Sequence, residues 1–193
     1  MALQSSGAIS LNEIHIEAGG TTGTLVSIND ADIRALIGVD AATEMSFDDW
    51  YGAMSTTTVT VTQGSTSVAQ ATYYGYESGT PTGSVSPETA QGSSGNLMDI
   101  DAVYRIASSA GFLFYVDVSY TSAVDADEFT SFSFTANGND ITLLTSEAST
   151  TTLSGGLGRR WLWSSSTGLD ATTISDITAE WDGTGDIEVT FTP

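Results

Sequence analysis

Few residues in this 193-residue chain are of a type that does chemistry, and their spacing narrows what they can do. The single histidine, His15, stands between Ile14 and Ile16. One imidazole cannot build a histidine-rich metal site, and no nucleophile lies at a spacing that would make it a general base. Cysteine is absent, which removes disulfides, thiolate metal sites and a cysteine nucleophile together. The densest carboxylates are Asp125-x-Asp127-Glu128 and Asp99-x-Asp101. Oxygen ligands at that spacing suit Ca2+, but neither run continues as Asp-x-Asp-x-Asp-Gly with a distal glutamate. Both read as solvated turn acids, with Ca2+ at Asp125, Asp127 and Glu128 as the alternative and no other cofactor expected. Glycoside hydrolysis needs two carboxyls about 5 to 10 Å apart, a separation set by the fold, and no spacing in the chain marks such a pair. The glycine-rich run Ser154-Gly155-Gly156-Leu157-Gly158 leads into Arg159 and Arg160 without a Walker lysine, so it reads as a turn rather than a phosphate cradle.

What remains is recognition chemistry. Arg159 and Arg160 beside Trp161 and Trp163 form a candidate stacking platform for a sugar or a partner carboxylate, because Arg and Trp concentrate at binding hot spots. Trp161 and Trp163 share one face of any strand they occupy, which favours the core for the two indoles. Tyr73, Tyr74 and Tyr76 divide in the same way, Tyr74 and Tyr76 pointing to one side and Tyr73 to the other. One set is expected inward and the other exposed as an adhesive surface, and the sequence leaves open which is which.

The charge excludes one class of partner. Twenty-four acidic residues oppose four arginines, Arg34, Arg105, Arg159 and Arg160, with no lysine, for a formal net charge of -20. Binding a phosphate backbone draws on Lys and Arg displacing counterions, so nucleic acid is not expected as a partner. A lysine-free acidic surface suits solubility at high salt; a cationic ligand is the other reading. No run approaches the ~20 apolar residues of a membrane span, and the first residues lack a basic n-region and an apolar h-region. A soluble chain made in a cytoplasm, without membrane insertion, is expected.

Two textures of sequence must position these groups. Residues 1–54 carry one pattern three times: Ile9-Ser10-Leu11-Asn12-Glu13, Val26-Ser27-Ile28-Asn29-Asp30 and Met45-Ser46-Phe47-Asp48-Asp49. Each is a helix start, with serine accepting from first-turn N–H groups and the acid three places on reaching back to the serine N–H. Ile14 and Ile16, then Ile33, Leu36 and Ile37, then Trp50 and Tyr51 follow, each set ended by glycine at Gly19-Gly20, Gly38 or Gly52. Helices this short are unstable alone. They must pack on one another or on a neighbouring chain, or cap the following domain.

From Thr56 onward β-branched and polar residues alternate. Strands are expected at 57–62, 71–76, 98–107, 111–120, 130–136, 140–145, 160–164, 177–181 and 186–192, with 80–87 and 90–96 as loops. Asn137-Gly138 between Phe132-Ser133-Phe134-Thr135 and Ile141-Thr142-Leu143-Leu144 is a hairpin turn. The spacing predicts a mainly β fold, an antiparallel β-sandwich or jelly roll over 55–193, behind a small N-terminal segment of short helices over 1–54.

The N-terminal motif, Gly7-Ala8-Ile9-Ser10-Leu11-Asn12-Glu13-Ile14 with Gly19-Gly20 and then Met45-Ser46-Phe47-Asp48-Asp49-Trp50-Tyr51-Gly52, resembles a segment found in tail-fibre and other virion proteins of tailed bacteriophages. It covers about a quarter of the chain, and Trp50 stands where that family has Tyr. Tyr73-Tyr74-Gly75-Tyr76, Gly83-Ser84-Val85-Ser86-Pro87 and Trp161-Leu162-Trp163 are more loosely similar to small β domains of such proteins. The resemblance implies a non-enzymatic virion component exposed on the particle: a short tail fibre, tail-tip or baseplate protein, attached through residues 1–54 and displaying its β domain for host attachment. On that reading Ile9, Ser10, Leu11, Ile14, Ile28, Ile33, Leu36, Phe47, Trp50 and Tyr51 form the assembly anchor, and Tyr73, Tyr74, Tyr76, Arg159 and Arg160 the ligand-contact surface. Its partners would be other virion proteins, further copies of itself in a homo-oligomer such as a trimer, and a host surface glycan or protein. A capsid decoration or head-fibre protein is the alternative, and a virion-associated polysaccharide-degrading enzyme the reading from another class. Neither repeated shaft sequence nor coiled-coil heptads are present, so a long fibre is not expected.

Overall fold

The computed structural model describes the chain except residues 1–2, 5, 38, 40–42, 52, 54, 79–82, 94–95, 109–110, 121–127, 154–156 and 168. All three serine motifs form the same turn. Glu13 Oε2 accepts from Ser10 N at 2.7 Å, Asp30 Oδ2 from Ser27 N at 2.7 Å, and Asp49 Oδ2 from Ser46 N at 2.6 Å. Ser10 caps helix α1 (Leu11–Glu17), and its hydroxyl accepts from Glu13 N. The helix ends as expected at Gly19, whose φ of +86° suits a residue without Cβ, with Gly20 N bonded back to His15 O. The second motif departs from expectation. Its Ser27–Asp30 turn precedes the helix, and α2 (Ala31–Ala35) starts at Asp30, one turn later than the serine predicts. The third makes a single 3-10 turn, Phe47–Trp50.

These pieces build a small core of their own. Leu3, Ile14, Ile33 and Trp50 are buried together, with Ile9, Leu11, Val26, Ile28, Leu36 and Met45 packed around them. Trp50 Nε1 donates to Ile33 O at 3.1 Å, tying the last turn to α2. Arg34, 3% exposed, donates to Asn29 Oδ1 and to Thr43 O. The short helices therefore satisfy their need for a surface on one another.

Twelve strands follow among the described residues: β1 (Thr57–Thr62), β2 (Gly64–Val68), β3 (Ala71–Glu77), β4 (Ser84–Ser86), β5 (Thr89–Gln91), β6 (Leu97–Ser108), β7 (Gly111–Ser119), β8 (Ser131–Ala136), β9 (Asn139–Leu144), β10 (Ser149–Thr152), β11 (Gly158–Ser164) and β12 (Asp186–Thr192). They form two antiparallel sheets, β4-β1-β12-β8-β9 and β10-β11-β7-β6-β3-β2, with β5 paired to β6 at the side of the second. The inner faces meet in one core. Val59, Val61, Phe132, Phe134, Val189 and Phe191 of the five-stranded sheet close on Val103, Phe114, Val116, Trp161 and Trp163 of the seven-stranded sheet. This is the expected mainly β, sandwich-like fold. Asn137 and Gly138, at φ +51° and +77°, make the expected turn between β8 and β9.

Elsewhere the structure departs from the expected strands and loops. The strand expected at 177–181 is the last part of helix α3 (Ala171–Glu180), capped by Asp170 Oδ1 accepting from Thr173 N at 2.7 Å. Ile174, Ile177 and Trp181 recur at helical spacing and face the core. That packing overrides the strand-like alternation of Ile177, Thr178, Ala179, Glu180 and Trp181. The stretch expected as a loop at 80–87 contains β4, and the one at 90–96 opens on the last two residues of β5; these strands pair with β1 and β6 and so carry the chain from one sheet to the other. The edge strands β2 and β10, almost all Ser, Thr and Gly, have no apolar alternation to reveal them.

Arg105 fixes α3 over the end of the sandwich. It is 5% exposed, its Nε donates to Trp181 O, its Nη2 to Thr178 O at 3.4 Å, and its guanidinium lies 4.0 Å from the centre of the Tyr74 ring. The cation thus meets the partial negative charge of the helix C-terminus. On the far side, Asp176 accepts from Asn137 Nδ2 and Asn139 Nδ2, both at 2.9 Å. Arg105→Met, which keeps the volume and loses the charged donors, is expected to cost about 2 to 3 kcal/mol, read as a lower urea midpoint. An unchanged midpoint would mean that Ile177 and Trp181 hold the helix without it.

Candidate functional site

The two outer faces of the sandwich differ in kind. On the five-stranded sheet the outward positions are mostly Ser, Thr and acids, with Leu144 at the end of β9 the apolar exception, Thr58 and Thr190 hydroxyls bonded across strands at 3.0 Å and Thr135 donating to Asp140 at 3.0 Å. On the seven-stranded sheet the alternation of β6 places Val103 and Arg105 inward and Ala102, Tyr104 and Ile106 outward. These three are buried on the outside of the molecule by Ala71, Tyr73, Leu113 and Tyr115. A second apolar cluster therefore lies on the surface, beyond what closes the core.

Its geometry is an aromatic array across four strands. Tyr104 of β6 and Tyr115 of β7 are direct cross-strand partners, their rings stacked at 5.0 Å and 20°. Tyr73 of β3 meets Tyr104 at 5.8 Å. Arg160 of β11 lies 5.1 Å from the centre of the Tyr115 ring and grips its cross-strand partner Asp117 in a fork, Nε to Oδ1 at 2.8 Å and Nη2 to Oδ2 at 2.5 Å. Asp117 is 4% exposed and the Arg160 side chain about a third exposed. Burial pushes the Tyr104 and Tyr115 phenols up from their ordinary range, only partly offset by Arg160, so both stay neutral in water near pH 7. The fork with Asp117 pushes the Arg160 guanidinium up. The array thus carries neutral hydroxyls, flat ring faces and a self-neutralised ion pair. Asp117, engaged at both oxygens, is fixed as an acceptor. Ring faces and fixed polar groups of this kind suit recognition chemistry.

One end of the face is acidic. Asp101 sits at the irregular step between Ile100 and Ala102, with Asp99 before it and Glu77 opposite Ala102. Burial is the first cause raising the Asp101 carboxyl, which Ser119 partly offsets and Asp117 and Asp99 reinforce. A carboxyl raised in the fold is destabilising once ionised, so its penalty is absent below the ordinary carboxylate range and complete above the raised value. Asp101→Asn is expected to stabilise the protein at pH 7, by no more than about 0.5 kcal/mol because the group is half-exposed and screened. The gain should vanish by about pH 3. Thermal melts of both proteins at the two pH values check this; an equal gain at both would exclude an ionisation effect.

Of the residues singled out in the sequence, Tyr73 and Arg160 share this outer face. Tyr74 and Tyr76 point to the other side, Tyr74 under Arg105 and Tyr76 against the main core. Arg159, half-buried, has the parity of Trp161 and Trp163, whose indoles are core, as the paired spacing suggested. Tyr104, Tyr115 and Asp117 were missed as site residues, although each lies at the outward parity of a strand that was expected. Among the calcium candidates Asp125 and Asp127 lie outside the described residues. Glu128 is no solvated turn acid: it is 2% exposed and accepts from Ser93 Oγ at 2.9 Å. Asp99 and Asp101 lie in strand β6 rather than in a turn. Among the described residues no three His, Asp or Glu side chains come together to hold a metal, and no helix is long and apolar enough to cross a membrane.

The anchor candidates divide between core and surface. Ile14, Ile33 and Trp50 are fully buried in the N-terminal cluster, and Ile9, Leu11, Ile28 and Leu36 pack around them. Ser10 is the α1 cap, and Tyr51 OH donates to Gly7 O. Phe47 remains 43% exposed, as do Ile16 at 45% and Leu25 completely. Ser55 links the two cores, its N–H donating to Glu17 Oε1 at 3.2 Å and its hydroxyl to Gln91 Oε1 at 3.4 Å.

No protein-family model matches the chain, and no curated protein and no solved structure is significantly similar to it.

Proposed function

We propose that this chain is a non-enzymatic structural component of a tailed-phage particle, a short tail-fibre, tail-tip or baseplate protein, that attaches through residues 1–54 and contacts the host surface with its β domain. The observation that carries the reading is the aromatic cluster on the outer face of the seven-stranded sheet, where Ala102, Tyr104 and Ile106 are buried although the core between the sheets is already closed. Apolar groups outside a complete core mark interaction surfaces. The N-terminal unit supports the other half: it has its own core, carries the phage-like motif, and presents Ile16, Leu25 and Phe47 outward.

Deleting residues 1–54 tests the division of labour. The remaining chain is expected to fold and stay soluble but to be missing from purified particles, as read by mass spectrometry. Particles that incorporate the truncated chain at the normal level would refute the anchor.

A further inference from the structure

We propose that the outer face of the seven-stranded sheet binds an uncharged polysaccharide, laid across β3, β6, β7 and β11 over Tyr73, Tyr115 and the Arg160–Asp117 fork. The inference rests on the adhesive reading above and adds the chemical class of ligand. Sugar rings present apolar C–H faces and hydroxyl edges, and need flat aromatic surfaces beside fixed donors and acceptors. Tyr73 and Tyr115 supply half-exposed rings on either side of the buried Tyr104, spaced by the sheet itself. Arg160 spends Nε and Nη2 on the buried Asp117, which holds the guanidinium plane in place and leaves Nη1 of its part-exposed side chain to donate to a hydroxyl. Beside Tyr73, the edge residues Thr66 and Val68 continue the face into a groove that Glu77 also lines.

Charge decides against the other occupants. The array's cation, Arg160, is neutralised by Asp117, so it does not receive a carboxylate or sulfate. Glu77, Asp99 and Asp101 at the end of the face and the net charge of -20 repel an acidic chain. A second copy set on this face would bring the same acids and the same charge with it. A protein partner would anchor side chains in pockets, whereas this face presents a row of tyrosine rings, Tyr73, Tyr104 and Tyr115, along the sheet.

Affinity electrophoresis of the full-length protein, in native gels containing dextran, mannan, galactan or the acidic polymer alginate, tests the proposal. Retardation is expected in at least one of the three neutral polymers and not in alginate. Tyr73→Ala should weaken it about tenfold, the loss of one aromatic surface, and Tyr73→Leu, which keeps apolar volume without a flat ring, by a similar factor. Tyr73→Phe, and Thr142→Ala on the five-stranded sheet, should leave it unchanged. Retardation only in alginate, in none of the four polymers, or undiminished in Tyr73→Leu would overturn the proposal. None of those results touches membership of the particle, which the truncation above tests separately.

Discussion

Replacing Trp50 by alanine is expected to unfold the N-terminal unit while the sandwich stays folded. Trp50 is fully buried at the centre of the cluster of Leu3, Ile14 and Ile33, and its Nε1 is bonded to Ile33 O. Removing a buried tryptophan costs about 3 to 5 kcal/mol. A unit of some fifty residues with no disulfide or metal holds roughly that much or less, and the three capping turns cannot persist as isolated helices. Hydrogen exchange is the measurement. The amides of Ile14, Ala18 and Arg34, bonded within the unit, should lose protection, while those of β6 and β7 keep it. Equal loss in both places would show a single cooperative body, joined through Ser55 more tightly than two hydrogen bonds imply. The same variant should fail to enter particles.

Phe132→Ala is expected to have the largest effect on the sandwich. Phe132 is fully buried, with Phe191 at 5.0 Å, Trp161 at 5.2 Å, Phe129 at 5.6 Å and Trp163 at 5.8 Å between ring centres, three of the four edge-on. The substitution opens a cavity among rings from both sheets and should cost about 3 to 5 kcal/mol. For a domain of this size that lowers the melting temperature by roughly 10 °C or more. Because only the sandwich is affected, exchange at Ile14 and Arg34 should be unchanged. A fall of less than about 3 °C would mean that the neighbouring rings collapse into the space.

The sequence was most legible where side-chain period and turn chemistry agreed. Asn137-Gly138 between two alternating runs fixed a hairpin, and Ser10-x-x-Glu13 followed by Gly19-Gly20 fixed both ends of α1. It misled where one local signal spoke alone. Ile177-Thr-Ala-Glu-Trp181 alternates like a strand, and only Ile174, three residues earlier, shows the helical spacing that decides the matter. Strands made of Ser and Thr, such as β10, owe their place to pairing with β11 rather than to anything in their own residues.

The candidate face was half legible. Parity placed Tyr73 opposite to Tyr74 and Tyr76, but the direction of the core is a tertiary fact. Arg105 shows why: it lies at the inward parity of β6, where an apolar residue is the rule, because the C-terminus of α3 offers it carbonyls. Asp117 likewise becomes part of the site only when β11 pairs with β7 and brings Arg160 against it. Pairings between strands some forty residues apart leave no trace in a single sequence.

Electron microscopy of purified particles labelled with antibodies to residues 10–30 and to the exposed β9 edge tests most directly whether one end of the chain anchors and the other is displayed. With the N-terminal unit docked and the sandwich outward, the β-domain antibody decorates the tail tip, fibre or baseplate of intact particles, and the N-terminal antibody binds only after the particles are disrupted. Decoration by both antibodies on intact particles, label on the capsid shell, or no label at all would contradict that arrangement.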